Sequence, residues 1–101
     1  MDIGHVQMND DIETLFAEYK IGAYYCGFDS VDEMEAFKVE ASQGMIRFGG
    51  SFTQYLGYAL AHADGINTSK IIRAFRPMCE QFREMHLKFL RERNGHHEIL
   101  I

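Results

Sequence analysis

From Ile71 onward the apolar residues recur at alternating steps of four and three: Ile71, Phe75, Met78, Phe82, Met85 and Phe89. That spacing is a heptad seam, and it commits the second half of the chain to helix. Pro77 interrupts it, because proline clashes with the preceding turn unless it sits in a helix's first turn. The pattern therefore predicts a short helix near 68–75, a bend, and a last helix near 77–93 carrying a favourable Glu84–Lys88 pair. Asn94-Gly95 is expected to stop that helix. The tail His-His-Glu-Ile-Leu-Ile then either frays or docks as an edge strand in a partner.

Upstream, Phe52, Tyr55, Leu56, Ala59, Leu60 and Ala63 fall on consecutive turns of one face, the cleanest amphipathic pattern in the chain. Ser51 is the expected cap of this helix, and Gly57 with Ala61 makes a small-residue track on another side. Asp64-Gly65 breaks the pattern, and Asn67 or Thr68 can cap the next helix. Ser30 followed by Glu33 is a capping box opening an earlier helix, with Val31, Met34, Phe37 and Ala41 as its apolar stripe. Gly44 is expected to end it, leaving Met45-Ile46-Arg47-Phe48 as a linker or strand. At the N-terminal end, Asn9 or Asp10 can cap a first helix with Ile12, Leu15, Phe16 and Tyr19 on one stripe. Gly22 and Gly27 weaken its continuation, so residues 21–28 read equally as helix or as a short strand.

These elements predict an all-α fold, a small four- to five-helix bundle with or without a minor two-stranded element. With no repeat and no interior linker, the chain is one domain, 1–101. Within it lie an acidic half (1–45), a helical hairpin plus C-terminal helix (46–95) and a short tail (96–101). A hydrophobic fraction of 47% argues against wholesale disorder. The chain is short enough that its core is modest and self-association would help it.

The N-terminus lacks the basic region and apolar run of a secretory signal, and no stretch approaches the roughly 18 apolar residues of a membrane span. Cys26 and Cys79 stand alone in their halves; one disulfide could join them, but two packed thiols in a reducing cytosol are the expectation. A cytoplasmic location follows. Charge is unevenly spread: residues 1–45 hold ten acids against Lys20 and Lys38, a net of −8, and residues 46–101 hold eight bases against five acids, a net of +3. Either the halves dock and partly cancel, or each faces a partner of opposite charge.

No motif for catalysis stands out. The five histidines never share the four-residue spacing of a zinc face, and adjacent His96-His97 rarely close a tetrahedron on one ion. Cys79 and His86 lie two helical turns apart, so a nucleophilic pair would need help from the tertiary structure. Gly49-Gly50-Ser51 lacks the spacing and the lysine of a phosphate loop. The reading is of a non-enzymatic protein with no metal and no cofactor.

Residues 60–73 resemble a helix-turn-helix, with Gly65 at the turn, Ile71 packing inward, and Lys70 and Arg73 on the recognition helix. Asp64 stands where that motif wants an apolar residue, and the overall acidity disfavours phosphate binding. A second resemblance rests on Gly49-Gly50-Ser51-Phe52, Leu56, His62-Ala63-Asp64, Asn67, Lys70-Ile71 and Ala74-Phe75. These residues resemble small proteins encoded by bacteriophages and bacterial mobile elements, over roughly residues 47–83. Arg76-Pro77 departs from the usual continuation of that pattern, which runs to Pro-Glu and a Tyr. The resemblance implies a viral or prophage origin and a short accessory role; it carries no catalytic residue.

The function these features favour is protein–protein interaction by a phage-type accessory protein that self-associates. Its acidic half would imitate nucleic acid toward a basic host factor such as a defence nuclease, with Asp29, Asp32, Glu33, Glu35 and Glu40 as the contact face. The alternative is a DNA-binding regulator using Lys70 and Arg73. A small-molecule site at a subunit boundary is a third reading, one that leaves little trace in a single sequence.

Overall fold

A computed structural model describes residues 13–14 and 17–100, with 94–100 as backbone alone. Helical residues 17–25 form α1, followed by α2 (Val31–Phe48), α3 (Ser51–His62), α4 (Gly65–Ala74) and α5 (Arg76–Leu100). The fold is all-α, as expected. Among the described residues there is no strand, so the minor two-stranded element drops out. The expected cap at Asn9 or Asp10 and the stripe residues Ile12, Leu15 and Phe16 lie outside the described residues.

Residues 21–25 are helical and end in a defined cap. The Gly27 amide donates to Tyr24 O at 2.9 Å and the Phe28 amide to Ala23 O at 3.0 Å, with Gly27 at φ +84°. This Schellman arrangement uses the glycine to finish the helix, and the apolar pair that accompanies it, Ala23 and Phe28, is buried. Ser30 then opens α2, its hydroxyl accepting the Glu33 amide at 3.1 Å. Glu33 Oε2 reaches past the cap to the Asp29 amide at 3.0 Å, one residue earlier than a capping box places it.

α2 is the central element, packed against both α3 and α5. Its predicted stripe holds: Met34, Phe37 and Ala41 are buried and Val31 packs against them. It does not end at Gly44, and Met45–Phe48 is its last turn rather than a linker or strand. Gly44 is instead the point where α2 crosses α5. A Cβ there would overlap the Phe82 carbonyl oxygen and come within 3.3 Å of His86 Cβ. Close helix approach therefore outweighs the cost of glycine in a helix interior.

α3 is rotated about its axis from its expected orientation. It docks on α2 through Gly57 and Leu60, with Thr53 and Leu56 half-buried beside them. A Cβ at Gly57 would sit 2.9 Å from Met45 Cβ and 3.1 Å from Ile46 Cγ1, so Gly57 of the small-residue track lies against α2, while Ala61 is exposed. Of the predicted core face, Leu60 is buried and Leu56 and Ala63 half-buried, but Phe52, Tyr55 and Ala59 are exposed. The bare glycine surface brings the backbones closer than an aromatic face allows, and that closer packing wins. The helix begins with Gly50 at the cap and Ser51 as its first residue, making no side-chain cap bond.

Asp64, rather than Asn67 or Thr68, caps α4: its Oδ1 accepts the Asn67 amide at 2.8 Å. Thr68 is buried inside the helix, its hydroxyl on Ala63 O at 3.4 Å. α4 lies against α1, where the Cys26 thiol donates to Ser69 O at 3.5 Å and an added Cβ at Gly65 would strike the Tyr19 ring. One residue, Phe75 (φ −124°, ψ 33°), separates α4 from α5. Pro77 is thereby placed in the first turn of α5, where no backbone bond is lost. Of the seam, Ile71, Phe75, Met78 and Phe82 pack on the core, Met85 is exposed, and the Phe89 ring meets Phe48 at 5.8 Å. Asn94-Gly95 does not stop α5, whose backbone stays helical to Leu100; the tail through that residue is helix rather than an edge strand. A single glycine costs only about 1 kcal/mol in a helix, too little to end one by itself.

Candidate protein-binding groove

The Schellman turn at Gly27 folds the start of α2 back beside the end of α1, leaving an open groove of about 760 Å³ between them. Ala23, Phe28 and Val31 line it with apolar surface, and Tyr24 forms a wall. Lys20, Asp29, Ser30 and Asp32 supply its polar lining. Tyr24 is 76% exposed and Tyr25 66%, their rings edge to face at 6.0 Å. Tyrosines presented in this way are large, stiff contact surfaces with a polar tip.

The structure brings together three of the five acids singled out in the sequence. Asp29, Asp32 and Glu33 are exposed around the first turn of α2, where the helix dipole favours negative charge. Glu33 spends one oxygen on the Asp29 amide and borders the α2–α5 side, while Glu35 and Glu40 are tied to basic side chains. Glu35 is half-buried, 3.7 Å from Lys38 Nζ, while Lys38 itself is buried and donates to Ala63 O at 2.7 Å. Burial, reinforced by the neighbouring Glu35 carboxylate, pushes the Tyr19 phenol's pKa up. Glu40 accepts from Arg83 Nε at 2.8 Å, an ion pair that joins the acidic half to the basic one.

A second groove, of about 570 Å³, runs between α2 and α5. Arg76 and Arg83 flank the Phe37 ring in it, at 5.4 and 5.5 Å from the centroid. Both guanidinium groups have partners inside the molecule: Arg76 bonds Cys26 O and pairs with Glu80 at 3.1 Å, and Arg83 holds Glu40. This groove is a clasp between helices rather than an open anion site.

The residues of the DNA-binding alternative are exposed on α4: Lys70 and Arg73, the latter 5.8 Å from the Tyr25 ring. Ile71 is half-buried and Ile72 fully buried. α3 rests chiefly on α2, so the pair is not a self-contained helix-turn-helix core, although Phe52 and Phe75 do meet across the turn at 6.0 Å.

Both thiols are buried. Burial pushes Cys79 up to about 11 and raises Cys26 as well, so each is protonated at neutral pH, opposite to what a nucleophile needs. His86 Nδ1 is buried without a hydrogen-bond partner. Among the described residues no group of three or more His, Cys, Asp or Glu is placed to hold a metal ion, and no helix is long and apolar enough to cross a membrane.

Sequence reasoning missed Tyr24 and Tyr25 as surface anchors. The signal was the Tyr-Tyr-Cys-Gly order, which puts the pair in a last helical turn once Gly27 is read as a helix end. No protein-family model, no curated protein and no solved structure matches this chain.

Proposed function

We propose that the protein is a non-catalytic interaction module that seats a basic, partly apolar segment of a partner protein in the groove between α1 and α2. The observation that carries this reading is the juxtaposition of exposed Tyr24 and Tyr25 with apolar Phe28 and Val31 and with Asp29 and Asp32. The rings supply buried contact area, and the carboxylates supply attraction and register for lysines or arginines. The reading extends to a phage-type accessory role in the host cytoplasm, the acidic end occupying a basic surface of a host defence factor in place of nucleic acid.

The test is titration of the protein with a short Arg- and Leu-rich peptide, followed by amide chemical shifts and calorimetry. Shifts confined to residues 20–33, and affinity that falls as salt rises, are expected. The Tyr24→Ala/Asp32→Asn variant should lose at least tenfold in affinity while keeping its helicity. Undiminished binding by that variant overturns the proposal. The second reading, DNA binding, is favoured by the exposed Lys70 and Arg73 on one helix. It predicts duplex binding that is lost in Lys70→Glu/Arg73→Glu and falls steeply with salt.

A further inference from the structure

α3 is the one described helix without a charged side chain: Ser-Phe-Thr-Gln-Tyr-Leu-Gly-Tyr-Ala-Leu-Ala-His holds no Asp, Glu, Lys or Arg. It also turns its aromatic residues away from the core. Phe52 is 61% exposed, Tyr55 74% and Tyr58 51%, with exposed Ala59 between them. At about 100° per residue Phe52, Tyr55 and Ala59 lie on the side opposite Gly57, which faces α2, and Tyr58 flanks them. α1, α2, α4 and α5 all present charge to solvent, through Glu18, Asp32, Lys70 and Glu80 among others. An apolar face of this kind marks an interface rather than ordinary surface.

We infer that this face pairs with the same face of a second copy of the chain, about a two-fold axis near Tyr55 and Ala59. This goes beyond the proposed groove, which lies at α1 and α2 and stays open in such a dimer. Charge selects the occupant. In a two-fold contact each patch meets itself, so a patch rich in one sign repels its own image, whereas α3 has no charge to repel. With a net charge of −5 on each chain, approach by the acid-rich end of α2 is disfavoured and approach by α3 is not.

Area sets the strength. Taking about 200 Å² per ring, the three aromatic side chains leave roughly 370 Å² of surface open on each copy. Two copies that also cover Ser51, Gln54, Ala59 and His62 bury on the order of 1,200 Å², the lower edge of specific interfaces. An interface of that size suits a reversible dimer, and a micromolar dissociation constant sets the range to be searched. Because the contact is uncharged while the copies repel at long range, added salt tightens it, opposite to the salt response of a basic peptide in the α1–α2 groove.

The experiment is sedimentation velocity on the whole chain from about 1 μM to about 300 μM, a range in which mass action moves a micromolar dimer from mostly dissociated to mostly associated. The wild type should pass from 11.7 kDa to twice that mass, and more readily at higher salt. Tyr55→Glu, at an exposed position that leaves the core untouched, should stay monomeric throughout with an unchanged circular dichroism spectrum. Val39→Glu, on the exposed side of α2, should dimerise like the wild type. A wild type that remains monomeric at the highest concentration overturns the inference. A dimer indifferent to Tyr55→Glu overturns it equally. Neither result touches the groove, whose peptide titration is read separately.

Discussion

Replacing Gly44 by alanine should destabilise the protein, although alanine is the better helix former. Left to local preference, Gly44→Ala within α2 would gain about 1 kcal/mol. The crossing reverses the sign. The new methyl would overlap the Phe82 carbonyl oxygen, with its carbonyl carbon at 2.6 Å. A backbone carbonyl cannot rotate aside as a side chain can, so relief requires α2 and α5 to separate. That movement loosens the seating of buried Ala41, Met45 and Cys79 and stretches the Arg83–Glu40 contact. Overpacking of this kind costs about 1–3 kcal/mol even where side chains absorb it, and here they do not. The net loss should be about 2–3 kcal/mol, or about 10–20 °C in Tm for a domain of this size. Urea denaturation followed by far-ultraviolet circular dichroism measures it, with exposed Gln43→Ala as the reference on the same helix. A Gly44→Ala variant as stable as Gln43→Ala would refute the crossing.

Four further expectations test the frame. Asp64→Ala removes the side chain that accepts the Asn67 amide and should cost about 1 kcal/mol; the same measurement on Ser30→Ala should match it. Arg83→Ala breaks an ion pair that is about one-third exposed and also uncovers the Phe37 ring, so about 1 kcal/mol is expected, with little dependence on salt for the packing share. The Cys79 thiol has its pKa raised by burial from 9.0 to about 11, so the folded state holds its proton longer than the unfolded state. This contribution is complete below pH 9 and is lost as pH rises through 11, so denaturation midpoints should fall across that window. At neutral pH neither Cys26 nor Cys79 should react with a thiol reagent until the protein unfolds, and rapid labelling of the native protein would contradict their burial.

Local chemistry made much of this fold legible. The Ser30–Glu33 signal and the Val31, Met34, Phe37, Ala41 stripe depend only on neighbours within two turns, and both survive in the structure. The misread elements are those decided by distant contacts. Gly44 reads as a stop because a lone glycine weakens a helix, and only the crossing with Phe82 shows why it is tolerated. The amphipathic pattern of α3 points Phe52 and Tyr55 inward, but Gly57 allows a closer approach on the other side. At the groove, the closeness of Asp29 and Asp32 follows from sequence neighbourhood, whereas the pairing of Glu40 with Arg83 spans 43 positions and leaves no local mark. Tyr24 and Tyr25 stayed hidden because a strand would have pointed them to opposite faces, while the last turn of α1 exposes both.

The placement of α2 between α3 and α5 also orders the events of folding. α2 and α3 are joined by Gly49 and Gly50 alone, so their contact closes a very short loop and forms with little entropic cost. The α2–α5 contact must bring together segments some forty residues apart, as the Glu40–Arg83 pair shows. Closing that larger loop costs more chain entropy, and it is repaid only when Phe37, Ala41 and Met45 meet the α5 face. The α2–α3 contact is thus the cheaper of the two to close, and the inner α2 surface stays open until α5 covers it. A chain in which α5 is undocked presents that apolar surface to other chains, so the hold of α5 on α2 is also what keeps copies apart at that face.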